Sequence, residues 1–177
     1  MLIGVISDTH NHLENLKLAI NYLNKIKVAL VIHCGDWTSP STLKPVFKLK
    51  AKLKGVLGNC DTAVSVYNHK LEYEWKPKKN NIELFDKKLT VEVDGKKIAA
   101  THGHDQELLQ KLIQCHKYDL VCYGHFHKAK IIKDNHTLAV NPGSIAGFYG
   151  RQIRLEIMPT LAIYDTRKSI AEIIKLK

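Results

Sequence analysis

Five times between residues 8 and 127 an apolar run ends beside a glycine or another small residue and a side chain that can bind a metal. The segments are Asp8-Thr9-His10, Gly35-Asp36, Gly58-Asn59-Cys60-Asp61, His102-Gly103-His104 and Gly124-His125-Phe126-His127. The runs before them, such as Leu2 to Ile6 and Val28 to His33, are short, continuous and rich in β-branched residues, as in strands buried on both faces. Strands of that kind belong in a parallel sheet with helical crossovers, and a parallel sheet collects the C-terminal ends of its strands along one edge. The constraint is therefore geometric: the polar segments are expected to converge.

The intervening pattern agrees. Leu13, Leu16, Ile20 and Leu23 recur at helical spacing, Asn11 with Glu14 forms a capping-box-like start, and Lys25 and Lys27 sit where a helix C-terminus favours cations. A third strand is expected over 52–57. A surface excursion over 63–82 follows, carrying Tyr67, Tyr73, Trp75 and a basic stretch from Lys76. Leu89 to Val93 and Lys96 to Thr101 flank an Asp94-Gly95 turn signal and predict a hairpin. Asp105 is placed to cap a helix with a Leu108, Leu109, Leu112, Ile113 stripe. Further strands are expected over 118–123, 129–133, 137–140, 161–165 and 169–175.

At 177 residues the chain matches the soft prior of about 150 residues per domain, so residues 1–177 read as a single domain. Its 45% hydrophobic and 25% charged content argues against disorder. The net charge of +10 favours anionic partners without choosing among them. Met1 to Asp8 lacks a basic leader and is too short for a signal or membrane span, so a cytoplasmic protein is expected, with no membrane partner. Cys34, Cys60, Cys115 and Cys122 show no paired spacing and read as reduced thiols, all but Cys60 as small buried residues.

The candidate metal ligands are Asp8, His10, Asp36, Asn59, His102, His125 and His127. In an extended segment residues i and i+2 face one side, about 6–7 Å apart, so Asp8 with His10 and His125 with His127 each address one pocket. Two cations about 3.5–4 Å apart fit such a set if a carboxylate such as Asp36 bridges them. Mixed nitrogen and oxygen donors without thiolate suit Mn²⁺, placed first, or Ni²⁺, Fe²⁺ or Zn²⁺. Two divalent cations outweigh two carboxylates and a hydroxide by one positive charge, which attracts a phosphate ester. The expected reaction is hydrolysis of a small phosphate ester by a metal-bridging hydroxide, a phosphodiesterase activity.

In these motifs, in their order, the chain resembles the calcineurin-like metallophosphoesterase superfamily, in particular its small single-domain phosphodiesterase branch. The likeness extends to Asn141-Pro142-Gly143-Ser144. It implies an α/β (α+β) fold, a four-layer sandwich of two mixed β-sheets flanked by helices. It also implies that Asp8, His10 and His127 hold one metal and that His102, His125 and Asn59 hold the other, with Asp36 bridging. Many members carry His where this chain has Cys60, and a thiol is a poorer proton donor to an alkoxide. Asn59, Cys60 and Asp61 are the candidates for catalytic participation, Asp61 by orienting a neighbour through a hydrogen bond, and His104 is a weaker candidate for the missing imidazole.

Two rival readings come with the resemblance: an interaction scaffold like the retromer subunit of this fold, and a nuclease acting on nucleic acid. Retention of all seven ligands disfavours the first. A homo-oligomer is compatible with everything in the sequence. His12, His33, His69, His116 and His136 read as surface or supporting residues, and the basic 76–88 stretch as a solvated face. Tyr67, Tyr73, Trp75, Phe148 and Tyr149 read either as a substrate entrance or as packing.

Overall fold

The strand ends meet because two sheets stack with their parallel strands running toward a common edge. The computed structural model describes residues 1–61, 81–149 and 155–177. The first sheet has the order β13 (Ile170–Lys175), β12 (Thr160–Asp165), β1 (Leu2–Ile6), β2 (Leu30–His33), β3 (Lys52–Val56), β4 (Ile82–Phe85). Within it β1 to β4 are parallel, and β12 and β13 close one side antiparallel. The second has the order β5 (Lys88–Val93), β6 (Lys96–Thr101), β7 (Leu120–Cys122), β9 (Thr137–Asn141), β8 (Lys130–Asp134). Here β6, β7 and β9 are parallel, with antiparallel strands at both edges. A small ribbon pairs β10 (Phe148–Tyr149) with β11 (Leu155–Glu156).

Period-two alternation sorts the side chains into three cores. Ile3, Val5, Leu30, Ile32 and Val56 face Leu89, Ile98, Ala100, Leu120 and Val140 across the space between the sheets. Ile6 and Val31 point the other way, onto Leu16, Ala19, Ile20 and Leu23 of α1 (Leu13–Lys25) and onto Leu43 and Val46 of α2 (Leu43–Val46). Ala99, Val121 and Ala139 leave the second sheet's outer face to Leu109 and Leu112 of α3 (Gln106–Gln114). Helix, sheet, sheet, helix is the four-layer sandwich expected. Gly4 lies under α1, where a Cβ would stand 2.5 Å from a Leu23 methyl, so the absence of a side chain lets the helix sit close.

Several local expectations change. His12, not Asn11, is the N-cap of α1, its ring nitrogen accepting from the Asn15 amide at 3.3 Å. Asn11 is instead left-handed at φ 59°, and its amide oxygen accepts from the hydroxyls of Ser41 at 2.8 Å and Ser39 at 3.3 Å. Those hydroxyls lie beside the 3-10 turn Pro40–Thr42, which carried no apolar periodicity to announce it. β4 was not anticipated; Ile82 falls inside the expected surface excursion yet opens a strand that pairs with β3. The rest of that excursion, including Tyr67, His69, Tyr73, Trp75 and Lys76, lies outside the described residues. Cys115 is exposed at the end of α3, whereas Cys34 and Cys122 are buried as expected. The Asp105 cap and the Asp94-Gly95 turn form as read, with Asp105 accepting from the Leu108 amide at 3.0 Å.

Leu120 is fully buried between the sheets. Truncation to alanine is expected to lower unfolding free energy by about 2–5 kcal/mol, measured by urea denaturation, because the rigid strands around it collapse little into the space. A loss below about 1 kcal/mol would contradict a tightly packed inter-sheet core.

Candidate metal centre

All seven predicted ligands come together at the shared edge. Asp8, His10, Asp36 and His127 place one donor atom each within 4.8 Å of one another. His127 Nε2 lies 3.2 Å from Asp8 Oδ1 and 3.0 Å from His10 Nε2, and His10 Nε2 lies 3.4 Å from Asp36 Oδ2. A second group adjoins the first through the other Asp36 oxygen. His102 Nε2 stands 3.3 Å from Asp36 Oδ1 and 3.1 Å from Asn59 Oδ1, and His125 Nδ1 also stands 3.1 Å from Asn59 Oδ1. Asp8, Asp36 and His102 are buried; His10, Asn59, His125 and His127 are partly exposed, so the cluster opens on one side.

The backbone route into this cluster differs from the extended segments expected. Asp8, His10, Asp36, His125 and His127 have φ of 53°, 42°, 59°, 70° and 55°. Each is left-handed, so the chain turns these candidate ligands inward rather than projecting them by strand alternation. Asp and His tolerate this region better than most residues, and a run of them at one site indicates strain held in place by surrounding contacts. Those contacts are visible. The Asp8 amide donates to the Gly35 carbonyl and the His10 amide to the Asp36 carbonyl, both at 3.0 Å. The His125 amide donates to the Asp8 carboxylate at 3.1 Å. Gly124 permits this approach, since a Cβ there would lie 2.7 Å from Asp8 Oδ2.

Asn141 and its neighbours act as a brace. The Asn141 amide donates to the Gly124 carbonyl at 2.8 Å, and the Ser144 hydroxyl and the Ala146 amide donate to the Asp8 carbonyl at 3.0 and 3.1 Å. His33, expected at the surface or in support, is wholly buried. Its Nδ1 accepts from the Gly35 amide at 3.1 Å, so Nε2 donates to the Thr9 hydroxyl at 2.7 Å, and its ring stacks on Trp37. Burial holds its pKa well below the ordinary histidine value, so it stays neutral and ties two ligand loops together.

Asp61 has no exposed surface. Its carboxylate accepts from the amides of Asp36 at 2.9 Å, Gly58 at 2.7 Å and Thr38 at 2.7 Å. Burial pushes its pKa up to about 6, against the pull of the Gly58 and Thr38 amides. Its place is behind the ligands, positioning the Asp36 and Asn59 loops. Cys60 is partly buried; its amide donates to Asp36 Oδ1 at 3.0 Å and its sulfur receives the Asn59 side-chain amide at 3.7 Å.

The electrostatics of the cluster call for a cation. His102 Nδ1 faces the Cys34 carbonyl at 2.7 Å and His127 Nδ1 faces the Phe148 carbonyl at 2.7 Å. A carbonyl only accepts, so each Nδ1 carries the proton and each neutral ring directs the Nε2 lone pair at carboxylate and amide oxygens. Facing lone pairs repel unless positive charge lies between them. A proton competes with a cation for the same lone pairs. Burial opposes charging of His102 and His127, but bonds to Asp36 and Asp8 respectively outweigh it and raise both pKa values. Burial likewise opposes ionisation of Asp36, yet His102, the Cys60 amide and His10 hold its carboxyl well below the usual range. Burial lowers His10 and His125, leaving them as neutral donors.

Two phenylalanines flank the cluster. Phe148, one of the sequence candidates for an entrance, packs its ring 5.3 Å from His10 and 5.6 Å from His127. Phe126 was not singled out by its sequence; it is exposed beside His125. Its position between two ligand histidines was the available signal.

Residues 1–169 match the calcineurin-like phosphoesterase superfamily domain. A phosphodiesterase of Methanocaldococcus jannaschii is 38% identical over 168 residues, 95% of each chain. The solved structure of an archaeal phosphodiesterase superposes with a TM-score of 0.82 at 35% identity, covering 99% of this chain and all of that one. Zinc-complexed Vps29 of Entamoeba histolytica, at 19% identity and a TM-score of 0.67 over the full length of both chains, shares the fold.

Replacing Asp61 with asparagine would turn an amide NH₂ toward backbone N–H groups that now find an acceptor. The expected loss is about 1–3 kcal/mol of unfolding free energy, with weaker metal retention because the Asp36 and Asn59 loops lose their common anchor. Urea denaturation of metal-free protein with parallel metal titration measures both; a fully stable variant would remove Asp61 from the positioning role.

Proposed function

Because this chain belongs to the calcineurin-like phosphoesterase superfamily and is a phosphoesterase, we propose that it hydrolyses small phosphodiesters with two divalent cations, as one domain spanning residues 1–177. Asp8, His10, His127 and Asp36 would hold one cation; His102, His125 and Asn59, with Asp36 shared, would hold the other. The observation that carries this reading is the placement of the Asp36 carboxylate, one oxygen toward His10 and the other toward His102. The lone pairs of His102 and His127 directed at oxygen support it independently. The name of the Methanocaldococcus relative supports a diester as substrate.

Bound cations of this kind lower the pKa of water so that hydroxide is available near neutral pH, and they polarise phosphoryl oxygens. The mixed nitrogen and oxygen donors are compatible with Mn²⁺, the ion expected from the sequence, and with Ni²⁺, Fe²⁺ or Zn²⁺. The chain's own residues supply the rest. The Cys34 and Phe148 carbonyls fix the imidazole tautomers, and Asp61, His33 and the Asn141 loop hold the backbone that carries the donors. Asn59 offers an oxygen to two imidazoles while its NH₂ meets the Cys60 sulfur. With a thiol in the position where many relatives hold imidazole, protonation of the departing oxygen is weakly assisted, which favours esters with good leaving groups. Among the described residues no helix is long and apolar enough to cross a membrane. The full donor set supports an enzyme over a scaffold.

Asp36→Asn is expected to lose bound metal and turnover of an activated aryl phosphodiester together, the rate by about 10²-fold or more. Metal analysis and the assay are run on the same preparation, and unchanged hydrolysis would refute the bridge. Metal affinity is also expected to rise as pH climbs above the ordinary histidine value. The raised pKa values of His102 and His127 favour the metal-free fold below pH 6.5, a contribution lost as pH climbs through the folded values, and metal must displace those protons. Calorimetric titration that showed no proton release would contradict this.

A further inference from the structure

Phe126 stands between two ligand histidines and contributes to neither group of donors. A single exposed phenyl ring on a protein surface is ordinary. This one is 39% exposed at the rim of the cluster, its ring edge-on to His125 with centroids 5.3 Å apart. Buried Tyr123 supports it from within, also edge-on, at 6.2 Å. His104, exposed as well, meets His125 at 6.3 Å, so the Asn59 and His102 half of the site carries an aromatic rim. Phe148, by contrast, is partly buried and its ring is engaged with His10 and His127.

The backbone beneath the ring is also tied down. Left-handed His125 and His127 bracket it at φ 70° and 55°, directing their own side chains inward and leaving Phe126 on the outside of the turn. The Phe126 amide donates to the Gly124 carbonyl at 2.8 Å, the His125 amide is tied to Asp8, and His127 is tied to the Phe148 carbonyl. These bonds hold the backbone that carries Phe126, and the rings of His125 and Tyr123 flank the phenyl ring itself. A preorganised aromatic surface loses little conformational freedom when a flat group stacks on it.

We infer that Phe126 determines specificity, forming the platform on which an aromatic arm of the phosphate ester, an aryl ring or a nucleobase, stacks while the phosphate faces the Asp36 and Asn59 cluster. This rests on the phosphoesterase reading of the site. It assigns the substrate a class: aromatic organophosphates over purely aliphatic ones.

The test compares competitive inhibition of activated phosphodiester hydrolysis by two matched pairs, phenyl phosphate against methyl phosphate and adenosine 5′-monophosphate against ribose 5-phosphate. In the metal-loaded wild type the aromatic member of at least one pair is expected to bind about 5–10-fold tighter. Phe126→Ala should erase that preference and leave methyl phosphate within about 2-fold, while Phe126→Tyr should keep it and Phe126→Leu, which preserves bulk but not the aromatic face, should lose most of it. The responding pair identifies the arm as aryl or nucleobase. Unchanged ratios in Phe126→Ala would overturn the inference, as would equal weakening of all four inhibitors, the mark of a ring that only supports the loop. Absence of hydrolysis in the metal-loaded wild type would be a failure of the phosphoesterase reading, and the inference falls with it.

Discussion

The Asp36 carboxylate and its backbone join every part of the site. One oxygen faces His10 from the β1 end, and the other faces His102 from the second sheet while accepting the Cys60 amide from the β3 end. Its own amide is held by Asp61 and its carbonyl receives the His10 amide. A buried anion is stable only when it is surrounded by donors or by cations. Asp36 is 3% exposed and has both kinds of neighbour, histidines able to take up a proton or coordinate a cation and the Cys60 backbone N–H, which cannot leave. The loops from three strands are arranged around that requirement.

The sandwich makes the arrangement affordable in strain. Five candidate ligand positions adopt left-handed backbone, each a departure from the favoured conformations of ordinary residues. They are held because the strands beneath them are immobilised by the inter-sheet core, in which Ile3, Ile32, Ile98 and Leu120 are fully buried. His33 on Trp37 and Asn141 on Gly124 extend this rigidity upward from the core into the loops. The resemblance to Vps29 at 19% identity shows that the fold persists through extensive sequence change. The donors, by contrast, are specific residues grafted onto strand ends.

Much of this was legible in order along the chain. The apolar runs, the Asp94-Gly95 turn and the Asp105 cap are local signals whose physics acts within a few residues, and they appear where expected. The expectations that changed involve distant partners. Asn11 gives up the helix cap because hydroxyls from residues 39–42 reach it, and Ile82 becomes a strand because the exposed edge of β3 takes it. His33 carried no motif, yet it lies in the supporting layer because folding brings Thr9 within 2.7 Å.

By itself the sequence determined which donors exist and that they follow apolar strands, since residue identity sets ligand chemistry and hydrophobic periodicity sets secondary structure. Only the tertiary structure decided how those donors divide. That Asp36 turns one oxygen to each group, that Asn59 serves two imidazoles and that Phe126 stands outside the turn depend on left-handed backbone at the strand ends. The long-range hydrogen bonds that hold that backbone tie together residues more than a hundred positions apart, and no local pattern encodes such distances.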